Sequence, residues 1–263
     1  MLIFEIFILL LAGLGAGIVT GLLGASAVTI AAPLMIFFLG YDAFTAIGIS
    51  LAIDISASAI TAMVFYKHKN INLKPSFFII FFAIIGAFIG SYFSSYFPGS
   101  FLTKIVGFFV MLTGITFMRD TLKSKLEKIK DKYHFDREDR KFIIMALAGL
   151  IVGLIAGIFG AGGGVTLLMV LTLLLGFRIH VAIGTSVFIM VFIALSGTVG
   201  HLIYGSFSWY PFLIASIGGI VGAYFSAHRT NALSEKKLNQ IIGFVFFILG
   251  LFLVLKEFLY LIY

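Results

Sequence analysis

The chain contains no cysteine, and charged residues make up only 11% of it. The lack of cysteine excludes disulfides, thiolate metal sites and cysteine nucleophiles. Soluble domains ordinarily carry a charge on about a quarter of their residues, so this chain lacks the polar side chains that a water-exposed surface requires. The HExxH, GxSxG and P-loop motifs are missing too, which argues against metalloprotease and serine hydrolase chemistry and against direct ATP coupling.

Hydrophobic residues, by contrast, make up 61% of the 263 residues, and apolar runs recur from end to end. This composition indicates an integral membrane protein whose surroundings are the lipid bilayer. The formal net charge of +7 is typical of such proteins, because Lys and Arg gather in their cytoplasmic loops. We therefore expect no nucleic-acid partner. We also expect no cofactor, no metal site and no catalytic residues.

The sequence repeats itself when it is shifted by 136 positions, without any gap. The stretch AIGIS (46–50) falls on AIGTS (182–186), and Pro75 falls on Pro211. Nine glycines also fall on glycines: Gly13, Gly17, Gly21, Gly24, Gly40, Gly48, Gly86, Gly107 and Gly114. So many matches in one register indicate an internal duplication.

Each half contains five apolar segments, and the second of them is short. Segments 27–39 and 164–175 reach about 20 Å at about 1.5 Å per residue, whereas the hydrocarbon core is about 30 Å thick. With the segment before it, each short segment predicts a helical hairpin whose glycine-rich tip stops inside the membrane. The predicted fold is an all-α polytopic membrane protein of two inverted repeats. Each repeat has a glycine-tipped hairpin and three transmembrane helices, which gives 8–10 membrane segments in total.

Loop charges orient the two halves. An inverted arrangement puts all but two of the 18 Lys and Arg residues on one side, as the positive-inside rule requires. We predict a first repeat over 1–118, a charged cytoplasmic linker over 119–136 and a second repeat over 137–263, with both termini outside. The linker is either a short amphipathic helix on the inner membrane surface or a solvated charged segment.

The glycine-rich tips are the predicted binding site. A helix that starts at mid-depth presents free N–H groups and the positive end of its dipole, and so binds anions without Lys or Arg. Ser26 is a candidate N-cap of the first short helix. The predicted contacts are Gly24, Ala25, Ser26 and Thr29 in the first tip, Gly160, Gly162, Gly163, Gly164 and Thr166 in the second, and Ser50 and Ser186 nearby. Alternatively, the glycines only allow tight helix packing.

Asp54 lies at the midpoint of segment 43–66, where a carboxylate is most costly. Ser50, Ser58 and Thr61 share its helical face, and Met190 takes its place in the second half. Asp54 is therefore a candidate for carrying a coupling proton, or else a protonated acid bonded to a neighbouring helix or exposed to a wet vestibule. His201 is expected to be an interfacial histidine, with a proton relay as the alternative.

The motifs GLLGASAVTIAAP (21–33) and GIFGAGGGVTLLM (157–169), each followed by AIGIS or AIGTS, resemble those of the TauE/SafE sulfite exporter family, the TSUP permeases. The resemblance covers essentially the whole chain. It implies a cell-membrane protein that handles sulfur-containing anions such as sulfite, sulfoacetate and related organosulfonates. The first tip departs from the pattern, with Ser26 and Ala27 where the second half has Gly162 and Gly163.

The resulting functional hypothesis is a secondary transporter of small sulfur-containing oxyanions that works by alternating access and is coupled to protons. An anion channel or a non-transporting membrane scaffold is the alternative. An intramembrane enzyme fits less well, because Asp54 stands nearly alone at mid-depth and such an enzyme needs clustered acids and histidines.

Overall fold

The computed structural model of the protein describes residues 2–118, 138–160, 163–173, 175–205, 207–229 and 235–259. Ten helices lie in these ranges. The helices are α1 (Leu2–Leu23), α2 (Val28–Phe38), α3 (Ala43–Lys67), α4 (Leu73–Ser94), α5 (Gly99–Met118), α6 (Glu138–Phe159), α7 (Gly163–Leu173), α8 (Ile179–Tyr204), α9 (Trp209–Arg229) and α10 (Glu235–Leu259). The predicted linker 119–136 lies outside the described residues.

Seven of these helices are long and apolar enough to cross a membrane, and α2 and α7 are shorter, with 11 residues each. Large apolar side chains cover much of the outer surface, among them Ile3, Phe81, Ile143 and Ile203. Such a surface is stable in lipid and costly in water. The chain is an all-helical, multi-pass membrane protein, as its composition predicts.

Equivalent helices begin 136 residues apart: α1 and α6, α3 and α8, α4 and α9, and α5 and α10 all show this spacing. The backbone repeats as well. Gly24 and Gly160 have φ of 65° and 66°, and Gly40 and Gly176 have φ of 70° and 67°. These left-handed conformations follow the first two helices of each half and favour glycine over any residue with a Cβ.

The most extensive helix packing joins the two halves. α1 packs on α9, α4 on α6 and α5 on α10, and α3 packs on both α8 and α9. Exchanging each helix for its equivalent converts the α1–α9 contact into the α4–α6 contact. Glycines allow these close approaches. A Cβ on Gly17 would overlap the carbonyl oxygen of Gly219 in α9, and a Cβ on Gly153 would overlap that of Ala83 in α4.

Helices that are equivalent to each other run in opposite directions where they pack together. Residue numbers that rise along one helix fall along its partner, both between α3 and α8 and between α5 and α10. Between α3 and α8, Gly48 contacts His201 and Phe65 contacts Gly184. Between α5 and α10, Gly107 contacts Leu253 and Gly114 contacts Phe247. Antiparallel packing of equivalents is the arrangement that inverted repeats would produce.

The α1–α9 contact predicts the effect of a larger side chain at Gly17. We expect Gly17→Leu to destabilise the protein by about 1–3 kcal/mol, because the obstructing atom belongs to the backbone and cannot rotate away. The measurement is thermal unfolding in detergent, where the melting temperature should fall by roughly 2–10 °C. Gly99→Ala is the control, since a Cβ at Gly99 meets nothing within 4 Å. A Gly17→Leu protein as stable as the wild type would contradict this packing.

Candidate functional site

The first tip connects α1 to α2 through four residues. α1 ends at Leu23, and Gly24 adopts a positive φ while its N–H donates to the carbonyl of Thr20 at 3.0 Å. This is a glycine-terminated helix end. α2 begins at Val28 with Ala27 in the capping position, so the expectation that Ser26 is the N-cap is off by one residue. The Ser26 hydroxyl still accepts a long bond of 3.3 Å from the Val28 N–H.

The second tip follows the same geometry. The N–H of Gly160 donates to the carbonyl of Ala156 at 2.7 Å, and the new helix α7 begins at Gly163. Gly163 and Gly164 are buried and Thr166 is half-buried, all within the first turn. Gly162 lies outside the described residues. Both predicted helix breaks, near 24–27 and after 159, are therefore present.

The two tips meet inside the protein. The Ser26 hydroxyl lies 3.2 Å from the carbonyl oxygen of Gly160, which joins one tip directly to the other. A Cβ on Gly164 would overlap the carbonyl oxygen of Gly24 and would lie 3.1 Å from the Cα of Ala25. Ser26 and Ala25 are 2% and 1% exposed. Gly164 therefore serves close packing between the tips, which was the alternative interpretation of the glycines.

Each tip also packs on the long helix of the opposite half. A Cβ on Gly24 would lie 3.1 Å from the Ser186 hydroxyl and 3.3 Å from Ile183 of α8. One on Gly160 would lie 2.9 Å from Ile47 of α3, the equivalent of Ile183. Thr29 is buried, and its hydroxyl donates to the carbonyl of Ser26 at 2.7 Å. The structure thus brings most of the predicted site residues together around one buried point.

Asp54 is completely buried, and its carboxyl group faces the first tip. The Ser26 hydroxyl donates to Oδ2 at 2.7 Å, and the Ser58 hydroxyl, one turn along α3, donates to Oδ1 at 2.8 Å. The Ala27 amide also interacts with the carboxyl group. Of the alternatives for Asp54, an acid bonded to a neighbouring segment fits, and a wet vestibule does not. The Ser26–Asp54 contact was not predicted, although Ser58 was placed on the face of Asp54.

The two tips differ in polarity at three equivalent positions. Ser26, Asp54 and Ser58 in the first half correspond to Gly162, Met190 and Ala194 in the second. At the second tip, a Cβ on Gly163 would lie 2.9 Å from the sulfur of Met190. The first tip and the face of α3 beside it therefore supply a carboxyl group and two hydroxyls. The same positions at the second tip supply neither an acid nor a hydroxyl.

Ser50 and Ser186 are equivalent residues with different surroundings. The Ser186 hydroxyl donates to the carbonyl of Ile183 at 2.9 Å. The Ser50 hydroxyl is completely buried and has no hydrogen-bond partner in the described part of the chain. Ser50 lies on α3 between Ile47, which contacts the second tip, and Asp54, which bonds the first. A buried hydroxyl without a partner costs about 1–3 kcal/mol, so this position is suited to a polar ligand.

His201 is buried inside the protein, near the end of α8, and its place at the membrane interface stays a prediction. Its ring stacks on Phe44 with the centroids 4.4 Å apart, and its Nδ1 bonds the carbonyl of Gly197 at 3.0 Å. Nδ1 must donate in that bond, which leaves Nε2 as an acceptor without a partner among the described residues. The packing of His201 against Gly48 of α3 explains its burial, which position along α8 alone does not reveal.

A separate cavity of about 550 Å³ opens near the start of α1 and the end of α2. Its polar lining is Glu5, Tyr41 and Asp42. Burial raises the pKa of the Tyr41 hydroxyl, and the neighbouring Glu5 charge raises it further. Two acidic side chains repel anions, so this cavity is not a second candidate for the anion site.

Comparisons with known proteins agree with the fold. The chain is 27% identical to the probable membrane transporter protein YunE of Bacillus subtilis strain 168, over 92% of this chain and 95% of that protein. It is also 27% identical to the probable membrane transporter protein MJ0441 of Methanocaldococcus jannaschii, over 94% of this chain and 95% of that protein. No solved structure matches the chain significantly. Residues 9–253 match the family described as sulfite exporter TauE/SafE, and the chain therefore belongs to this family of membrane transporters.

Proposed function

We propose that the protein is a secondary transporter that carries small sulfur-containing oxyanions across the cell membrane by alternating access. The observation that carries the proposal is the contact between the two tips. The helix α7 begins beside it, and the buried, unpartnered Ser50 lies on α3 between Ile47, which contacts the second tip, and Asp54, which bonds the first. The family supports a membrane transporter, and its description as a sulfite exporter favours a sulfur oxyanion as the substrate. Sulfite, sulfoacetate and related organosulfonates are the candidates.

The anion site is proposed at the N-terminus of α7. Helix N-termini attract anions through free N–H groups and the helix dipole. The N-terminus of α2 already faces the carboxyl group of Asp54. The start of α7 faces Met190 at the equivalent position, so no acid competes there with an anion for the first-turn amides. The unpartnered Ser50 hydroxyl lies on the α3 face that meets both tips, and it would donate to the bound anion. Gly160, Gly163, Gly164 and Thr166 complete the proposed second-tip site together with Gly162.

The first tip has a supporting role in this proposal. Gly24 and Ala25 form the wall against which Gly164 packs, and Thr29 fixes the turn by bonding the carbonyl of Ser26. The Ser186 hydroxyl donates to a carbonyl of its own helix, and it also lies close to Gly24 in the first tip. By symmetry, Ser50 is expected to lie close to the second tip. Ser26 links the tips and bonds Asp54, which we propose as the proton-carrying group.

Alternating access is proposed to follow from an inverted duplication with repeats at 1–118 and 137–263, joined by the cytoplasmic linker 119–136. The antiparallel packing of α3 with α8 and of α5 with α10 supports inversion. One bundle would rock against the other around the tips. With basic loops inside, both termini lie outside. An inverted duplication favours a carrier over a channel or scaffold. Among the described residues, the proposed site holds no cluster of acids and histidines such as an intramembrane enzyme needs.

Ligand-induced stabilisation tests the substrate class. The purified protein is heated in detergent with sulfite, sulfate, thiosulfate, sulfoacetate or chloride at matched ionic strength. We expect at least one sulfur oxyanion to raise the melting temperature more than chloride does, because a ligand at 100 times its Kd stabilises the folded state by about 2.7 kcal/mol. The assignment of a sulfur oxyanion as the substrate fails if chloride raises the melting temperature at least as much as each of the sulfur anions does.

Replacing Ser50 tests the location of the site. Ser50→Ala should weaken binding of the best stabilising anion about tenfold or more, because a hydrogen bond to a charged group is worth about 1.5–3 kcal/mol. Stability without the anion should stay unchanged or rise, since no bond within the described chain is lost. The measurement is anion titration by calorimetry.

Thr172→Val is the matched control for Ser50→Ala. Thr172 is also buried and unpartnered in the described structure, but it lies near the far end of α7. Its replacement should leave anion affinity unchanged. Equal affinities for wild type and Ser50→Ala would place the anion elsewhere.

A further inference from the structure

The hydroxyl of Ser26 has one proton and two acceptors. It lies 2.7 Å from Oδ2 of Asp54 and 3.2 Å from the carbonyl oxygen of Gly160. A serine hydroxyl donates only one hydrogen bond at full strength. The shorter distance to a carboxyl oxygen shows that Asp54 holds this proton, and Ser58 donates to the other carboxyl oxygen at 2.8 Å. In this arrangement Ser26 has no proton to offer to a ligand between the tips.

Protonation of Asp54 changes this pattern in two ways. A neutral carboxyl group carries a donor O–H, which at Oδ2 would point to the Ser26 oxygen and free the Ser26 proton to turn toward the second tip. A bound anion would compete for that proton there with the carbonyl oxygen of Gly160. Protonation also removes a full negative charge from the first tip. Both changes favour a second anion nearby, one by supplying a donor and the other by ending a repulsion between like charges.

The second tip supplies no compensating group of its own. Its equivalents of Ser26, Asp54 and Ser58 are Gly162, Met190 and Ala194. The negative charge that a transported anion would meet here is therefore that of the Asp54 carboxylate, which lies beside the first tip. A single proton removes this charge.

From this asymmetry we infer that a proton on Asp54 and an anion between the tips bind cooperatively, with Ser26 as the residue that connects them, so that the protein moves the two together in one direction. This inference rests on the proposed anion site. It fixes the sign of the coupling, since an exchanger would require the proton and the anion to exclude each other.

Other titratable groups on the helices around Asp54 do not alter this logic. The strongest partners of its carboxyl group are the Ser26 and Ser58 hydroxyls and the Ala27 amide. His201 packs at Gly48, more than a turn along α3 from Asp54. The ionisable side chains on α3 and on the described helices packed against it are Glu5 on α1, Tyr66 and Lys67 on α3, Lys104 on α5, His180, His201 and Tyr204 on α8, and Tyr210, Tyr224, His228 and Arg229 on α9.

The test is the pH dependence of anion affinity between pH 6 and 8.5. The probes are sulfate and sulfoacetate, whose own charges stay constant in this range, and binding to the purified full chain is measured by calorimetry. In the wild type, affinity should fall roughly tenfold or more as the pH rises, a factor that corresponds to about 1.4 kcal/mol. Asp54→Asn should bind with the same affinity at every pH and, at pH 8.5, about tenfold more tightly than the wild type.

Two serine variants separate the effect of the Ser26 hydroxyl, which connects Asp54 to the second tip, from the effect of the Asp54 charge. Ser26→Ala should weaken binding at pH 6 but not at pH 8.5, which flattens the pH dependence. Ser58→Ala removes a hydroxyl from the same carboxyl group without touching Gly160, and it should keep the full range of affinity. In proteoliposomes, Asp54→Asn should lose flux driven by a pH gradient and retain anion counter-flow.

The outcomes separate the coupling from the function. Binding that is independent of pH in the wild type, or that tightens as the pH rises, would overturn the coupling while leaving the anion site in place. An Asp54→Asn protein that binds no more tightly than the wild type at pH 8.5 would overturn it as well. If neither probe binds at any pH, the proposed site fails, and the coupling fails with it.

Discussion

A helix that ends in the interior of a membrane protein must satisfy its backbone groups without water, and this constraint governs the centre of the molecule. Both hairpins end α1 and α6 with a left-handed glycine whose N–H returns to the preceding turn. The tips then press against each other, and the carbonyl of Gly160 accepts from Ser26. Irregular backbone at this depth is tolerated only where protein or a wet cavity surrounds it. Each tip thus provides the surroundings that the other requires.

The surrounding helices hold this contact in place by packing across the two halves. α1 lies on α9 and α4 on α6, at distances that leave no room for a Cβ on Gly17 or Gly153. Small residues of this kind let membrane helices associate without a hydrophobic driving force. The tips therefore lie between α3 and α8, the two helices that carry Asp54, Ser50 and Ser186. Symmetry sets the place of the site, and the departures from symmetry at Ser26, Asp54 and Ser58 set its chemistry.

Much of this architecture was predictable from the sequence because the glycines recur in one register in both halves. The ungapped repeat indicated equivalent helices, and the short segments predicted α2 and α7 to within two residues at each end. Asp54 stood out because a carboxylate at mid-depth is costly. Its partners did not, because the bond to Ser26 joins residues 28 positions apart through a tip whose turn no local pattern specifies. The burial of His201 could not be predicted for the same reason, since it depends on the register of α8 against α3.

We propose that the anion binds where the two tips touch, at the N-terminus of α7, and a crystal structure with a heavy substrate analogue tests this most directly. Selenite and selenate have the shapes of sulfite and sulfate, and selenium can be located by anomalous scattering. The account predicts a selenium peak at the N-terminus of α7, within hydrogen-bond reach of the amides of Gly163 and Gly164 and of the Ser50 hydroxyl. Selenium found only at the protein surface, with the space between the tips empty, would contradict it.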